Sequence, residues 1–274
     1  MRLLALSALV MVAFAANSLL NRAAVGGGLI GAMPFAVIRV LAGAAVLGLL
    51  ARARPTRRNL GPALALALYL VGFSLAYTQL DAGIGALILF AGVQVTMLAG
   101  AAVMGESVPA RRYAGAAVAL AGLGALLWPG TGAVPGLAPA ALMAAAALGW
   151  GLYSLAGRGS RDPLRATAAN FLLATPVVAL AALPFDRTAS LPGVALAVVA
   201  GAVTSGLGYA LWYAVLPQLG AARAAVAQLT VPVIAVIGGV LLLGEALSPA
   251  AALASAVVLA GVALAVLPAR FRNR

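Results

Sequence analysis

The chain has 274 residues, 65% of them hydrophobic and only 8% charged, with a mean hydropathy of +1.13. A soluble domain is about 45–50% apolar and about 25% charged, so lipid must be the solvent for most of this surface. The formal net charge of +12 comes from 17 basic residues, all arginine, placed in short clusters between apolar runs, which speaks against a nucleic-acid surface and for membrane topology.

Taken in order, the first apolar run begins after Arg2 and resembles a signal peptide, with Ala13-Phe14-Ala15 as a cleavage-like site. It continues past Asn17 to Val25, however, so it reads as a first span at 3–25. About twenty apolar residues cross a bilayer. On that measure nine more spans follow, at 31–51, 60–79, 82–104, 111–128, 136–156, 165–183, 192–216, 220–243 and 249–268. Turn-forming residues punctuate them at 54–58, Pro129-Gly130, 159–163, Leu216-Pro217 and Ser248-Pro249. The runs are solidly apolar rather than alternating, which selects helices over a barrel.

One half-sequence occurs twice. Gln79-Leu80-Asp81-Ala82-Gly83 returns weakly as Gln218-Leu219-Gly220-Ala221-Ala222, and Gly105-Glu106 as Gly244-Glu245. Ser18-Leu19 and Arg22 likewise return as Ser154-Leu155 and Arg158. The expected fold is all-α and integral to the membrane, with two inverted five-helix repeats, 1–130 and 131–274, around a central cavity. Ten spans place both termini on one side. If that side is the cytoplasm, fourteen arginines fall inside and only Arg22 and Arg187 outside, with Arg39 within a span. Glu106 then lies inside and Glu245 outside.

At these residues the chain resembles the drug/metabolite transporter superfamily, in its EamA-type branch. The resemblance covers essentially all ten spans. It rests on the two Gly-Glu motifs, on Pro232 thirteen residues before Glu245, and on Arg39 early in the second span. The strings at 16–22, 86–97, 150–158 and 227–233 look like a bacterial branch. The resemblance implies a ten-helix exporter in the inner membrane, with a central cavity open to one face at a time. Val93 stands where the second repeat has Pro232, so the two bundles are expected to gate unequally.

Polar and aromatic residues within spans are the candidate binding groups. Gln94 and Gln228, with Thr96 and Thr230, offer donors and acceptors to a polar solute or, equally, hydrogen bonds between helices. Trp150 with Tyr153, Tyr209 with Trp212 and Tyr213, and Tyr69 with Phe73 and Tyr77 repeat at helical spacing. They form either an aromatic wall or an interfacial belt. Asn17 joins the candidate solute-binding set. Arg39 either grips a carboxylate or snorkels toward the outer headgroups. Pro232 is a candidate kink, since its missing donor frees a carbonyl near residue 228. Glu106 and Glu245 are assigned structural roles at helix ends.

The chain has no Cys and no His, which removes thiolate and imidazole chemistry. No acid, His or Lys lies mid-span, and no phosphate-binding loop or metal cluster is present. No catalysis, cofactor or resident metal is expected. The partners expected are a small-molecule substrate and the lipid bilayer. The fifth and tenth spans, lacking large polar residues, are placed at the periphery, where they support packing or a homodimer. The leading reading is a secondary transporter of small neutral or zwitterionic metabolites, amino acids among them. A facilitator, a flippase and a multidrug efflux protein are the alternatives.

Overall fold

A membrane-spanning backbone must satisfy its polar groups within each segment, and the described part of this chain does so through helices. The computed structural model describes residues 2–106, 108–128, 136–157, 160 and 162–266. The arginines at 158, 161, 270, 272 and 274, and the Pro129-Gly130 turn, lie outside the described residues. Helix α1 (Arg2–Asn21) runs on as a wider π turn over Arg22–Gly26. It is followed by α2 (Ala32–Ala51), α3 (Leu60–Ala76), α4 (Ala82–Val103) and α5 (Ala110–Leu126). The second half holds α6 (Leu137–Gly157), α7 (Pro163–Ala181), α8 (Leu191–Val199), α9 (Gly208–Gln228), α10 (Thr230–Leu243) and α11 (Pro249–Val266), with a π segment, Ala200–Leu207, joining α8 to α9. Seven of these helical segments are long and apolar enough to cross a bilayer, and α10 and α11 are shorter apolar helices.

One expected boundary is corrected. The break foreseen at Leu216-Pro217 is absent, because α9 continues to Gln228. The interruption falls instead at Leu229. Pro232 lacks the N–H that would bond the carbonyl of Gln228, so the ladder fails one turn ahead of the proline. Pro217 loses the same donor, but the helix continues through it.

Two glycines explain where helices stop. Gly105 and Gly244 have φ of 73° and 67°, a left-handed conformation that a Cβ makes costly. The Gly105 and Glu106 N–H groups donate back to Ala102 and Ala101. Each Gly-Glu motif thus ends a helix with its glycine and frees its glutamate to reach elsewhere.

The helices pack as a bundle in which α2 lies along α7, α3 and α4 along α6, α4 along α10, and α1 along α9 and α10. Helices α5 and α11 pack chiefly on each other, with α4 alongside. Their contact is backbone to backbone: a Cβ at Gly115 would stand 2.4 Å from the nitrogen of Ala265, and one at Gly261 2.3 Å from that of Ala119. Small residues permit such approach where lipid removes the hydrophobic drive between helices. Leu49, Leu241 and Leu253 are exposed on the outside. The largest fully buried side chains are Arg39, Tyr77, Phe35, Phe73 and Phe171.

Candidate functional site

Trp150 on α6 is the hub of the central aromatic cluster. Its ring centroid lies 5.0 Å from Tyr69 of α3, 5.2 Å from Tyr209 of α9 and 5.4 Å from Tyr153 on its own helix. The cluster extends from Tyr69 to Phe73 and Tyr77, and from Tyr209 to Phe14 and Phe171. Tyr69, Trp150 and Tyr209, one from each of the three helical stripes read from the sequence, therefore meet at one place. Tilted and edge-on pairs of this kind add about 0.5–1.5 kcal/mol each beyond area burial.

Of these rings, Phe14, Tyr69, Phe73, Trp150 and Tyr209 line a narrow cleft between the halves, with Asn17, Ser18 and Gln228 as its polar edge. The cleft has a volume of about 20 Å³, and a single water needs about 10–15 Å³. This conformation is closed around the site. A drug-sized solute occupies a pocket of about 300–1,000 Å³, so admitting one requires the helices to separate.

Behind one wall runs a buried polar chain. Thr204 donates to Asn17 Oδ1 at 2.6 Å, and Ser205 reaches the same oxygen at 3.3 Å. Asn17 Nδ2 donates to the Thr204 carbonyl at 3.4 Å. The Arg39 Nε donates to Ser205 Oγ at 3.1 Å and its Nη2 to the Tyr69 hydroxyl at 3.0 Å. The guanidinium carbon lies 5.4 Å and 5.0 Å from the centroids of Tyr69 and Phe73, in cation–π range. Arg39 does not snorkel. It is 0% exposed and turned inward. Asn21 donates to Ser74 Oγ at 3.1 Å. Among the described residues, Arg39 Nη1 and Asn21 Oδ1 are the buried polar atoms left without a partner.

Gln94 and Gln228 meet at a second, tighter crevice, with Phe90, Pro232 and residues of α11 around them. Neither side-chain amide has a hydrogen bond among the described residues. Val258, Leu259 and Val262 bring α11 to this crevice, so the tenth span is less peripheral than expected. Its outer neighbour Val257 and Val118 of α5 line neither space.

The other candidates lie elsewhere. The Tyr153 hydroxyl donates to Thr167 Oγ1 at 3.0 Å. Tyr77 is fully buried and donates to the Ala82 carbonyl at 3.2 Å. Thr96 turns back to the Gly92 carbonyl. Thr230 is exposed and bonds the Ala227 carbonyl, so the structure does not bring it to the cleft. Pro232 lines the amide crevice beside the Leu229 interruption. Glu106 is exposed beyond α4.

Glu245 instead closes one end of the bundle. Its carboxylate accepts the Ala82 N–H, the first of α4, at 2.8 and 3.0 Å. Arg22 donates to Glu245 Oε1 at 3.3 Å and to Asp81 Oδ1 at 3.2 Å. Burial pushes the Glu245 carboxyl above its ordinary value, while the Ala82 N–H pulls it down, Asp81 adds to the rise, and Arg22 opposes it. Beside this cluster opens a cavity of about 280 Å³ lined by Asp81, Glu245 and α10. At the same end Ser190 and Gly31 tie the α1–α2 loop to the α7–α8 loop, through Leu29 and Thr188. Arg52, Arg54 and Arg165 gather at the opposite end.

The sequence reading missed Ser205 and Thr204, which no motif marks, and the Arg22–Asp81 pair. Arg22 and Asp81 fall on the same face in the expected topology, and that was the available signal for pairing them.

Residues 137–267 match the family model described as the EamA-like transporter family. An uncharacterized protein of Pseudomonas aeruginosa is 46% identical over 274 residues, covering 97% of this chain and 95% of the relative. A solved crystal structure of a protein matches with a TM-score of 0.66 and 25% identity, covering 96% of this chain and 99% of that one.

Proposed function

The chain belongs to the EamA-like transporter family, and from that premise we propose that it is a secondary transporter of small neutral or zwitterionic metabolites, with amino acids, aromatic ones in particular, as the leading class. It works by alternating access and exports across the bacterial inner membrane, with both termini cytoplasmic. The observation that carries this reading is the central cleft, where Trp150, Tyr69 and Tyr209 from three helices converge beside Asn17 and Gln228. Ring faces hold a planar or apolar body, and the amides orient its polar end.

Pairing across the halves supports two inverted repeats, 1–130 and 131–274, around this cleft. Second helix meets seventh, fourth meets ninth (α10) and fifth meets tenth (α11), while α3 with α6 mirrors the first and eighth spans. A closed cleft beside a linked outer end fits one intermediate of an alternating cycle. The outward faces of α5 and α11 are the surfaces a homodimer would use.

Purified protein in proteoliposomes, offered radiolabelled aromatic amino acids, purines and cationic dyes, tests the proposal. Saturable counterflow of an amino acid is the expected result. Non-saturable flux would favour a facilitator, and carriage of dyes alone would favour drug efflux.

A further inference from the structure

The chain has five acids, Asp81, Glu106, Asp162, Asp186 and Glu245, and none faces its buried arginine. Asp81 and Glu245 bind Arg22, Asp162 pairs with Arg165, and Asp186 accepts the Thr188 hydroxyl. Glu106 stands exposed beyond the end of α4. Arg39 is left with neutral company: two hydroxyls and two aromatic faces. A guanidinium does not shed its proton in a protein, so it cannot escape burial by becoming neutral. A whole positive charge thus sits in the membrane interior without a counterion, and its Nη1 has no acceptor.

We propose that the solute supplies the counterion. A carboxylate on the transported molecule binds Arg39 Nη1 when the cleft opens, while the rest of the molecule lies against Tyr69, Trp150 and Tyr209. The guanidinium is one ring removed from the cleft, since Tyr69 and Phe73, over which it lies, both line that space. Its other partner, Ser205, bonds Asn17, a further lining residue. Opening the cleft shifts these rings and exposes a charge already held by two hydroxyls in a fixed orientation.

This inference rests on the reading of the cleft as the solute site, and it redraws the substrate class: neutral solutes drop out, and monocarboxylate anions join the zwitterions. The carboxylate is required and the ammonium is optional. No acid lines the cleft to pair with an ammonium, so an amine lacking a carboxylate finds no charged partner there and meets the repulsion of Arg39. A monocarboxylate lacking the amine neutralises Arg39 as fully as an amino acid does.

Four ligands with a common phenyl body test it on the purified full chain, read by intrinsic tryptophan fluorescence. They are 3-phenylpropionate, phenylalanine, 3-phenylpropanamide and phenethylamine. Both carboxylates are expected to bind at least tenfold tighter than the amide and the amine. In Arg39→Gln that gap is expected to shrink to within twofold. Should the variant not fold, the wild-type panel decides alone. Equal affinity for carboxylate and amide would overturn the assignment of Arg39 while leaving the cleft a solute site. If none of the four binds, and no amino acid, purine or dye is transported, the reading of the cleft falls and this inference with it.

Discussion

Glu245 accepts the N–H of Ala82 on both carboxylate oxygens, at 2.8 and 3.0 Å. The end of α10 is thereby fastened to the start of α4, and Arg22 ties α1 into the same knot. An anion at a helix N-terminus satisfies a free donor and meets the positive end of the helix dipole.

Removing that side chain weakens the fold. Glu245→Ala is expected to cost about 0.5–2 kcal/mol, the range for losing a helix cap, seen as a lower thermal midpoint. The pH dependence has a defined sign. Burial raises the Glu245 carboxyl in the native state, so the folded chain holds this proton more tightly than the unfolded chain. The contribution is full below the ordinary carboxylate range and is lost as pH rises through the raised native value. Glu245→Gln, uncharged at every pH, flattens that slope. Thermal midpoints of wild type and Gln variant that fall in parallel across this window would exclude the effect.

On the proposed reading, substrate affinity is expected to depend on Gln228, which lines both the cleft and the amide crevice, and on Gln94 beside it. Gln94→Ala or Gln228→Ala leaves a solute group unpaired and costs roughly 1–3 kcal/mol of binding. Half-saturation in proteoliposome transport rises about five- to a hundred-fold, at a factor of ten per 1.4 kcal/mol. Unchanged half-saturation for every solute carried would make both amides packing residues.

On the proposed reading, the aromatic hub is expected to discriminate between solutes. Trp150→Ala and Tyr209→Ala are expected to impair aromatic or apolar solutes more than small polar ones, because only the former use the ring faces. A competition series across amino-acid side chains measures this, and equal loss for all would point to a general packing defect.

Topology is directly readable in a chain without native cysteine. Thr56→Cys, between α2 and α3, is expected to react with an impermeant thiol reagent from the cytoplasmic side only. Thr188→Cys, between α7 and α8, is expected to react from the opposite side only. Labelling of both from one side would overturn the arrangement.

The α5–α11 seam tolerates no added volume. Gly261→Leu drives a side chain into the backbone at Ala119 and Gly115, with an expected loss of about 1–3 kcal/mol from overpacking. Gly124→Leu, on the same pair but with open space around it, serves as the control. Detergent-resistance assays of the two variants separate a seam effect from a general effect of bulk.

The helices were legible because each is a long apolar run, and the aromatic cluster because its members repeat at helical spacing. Pro232 announced the interruption at Leu229, through the donor it lacks. Pro217 misled, since a proline within a long helix removes one bond of the ladder without necessarily ending it. The hydroxyls of Thr204 and Ser205 were silent in the sequence. Nothing local distinguishes a serine bonded to Arg39 through a π segment from one bonded to its own helix, as Ser154 is. Thr230 shows the converse: its place in a polar string suggested the cleft, but helix phase turned it outward.

The interruption at Leu229 also gives α10 a mechanical meaning. From there to Gly244 runs a stiff arm of 14 residues, about 21 Å long at 1.5 Å per residue. Tilting that arm by about 10° about Leu229 sweeps its far end through about 4 Å. That is more than the length of either bond between Glu245 and Ala82. A small bend beside Gln228, at the edge of the cleft, is thus magnified into the release of the opposite end of the helix. On the proposed reading of the cleft, a solute that wedges it open would have the leverage to unfasten the end of the bundle some 20 Å away, without touching it.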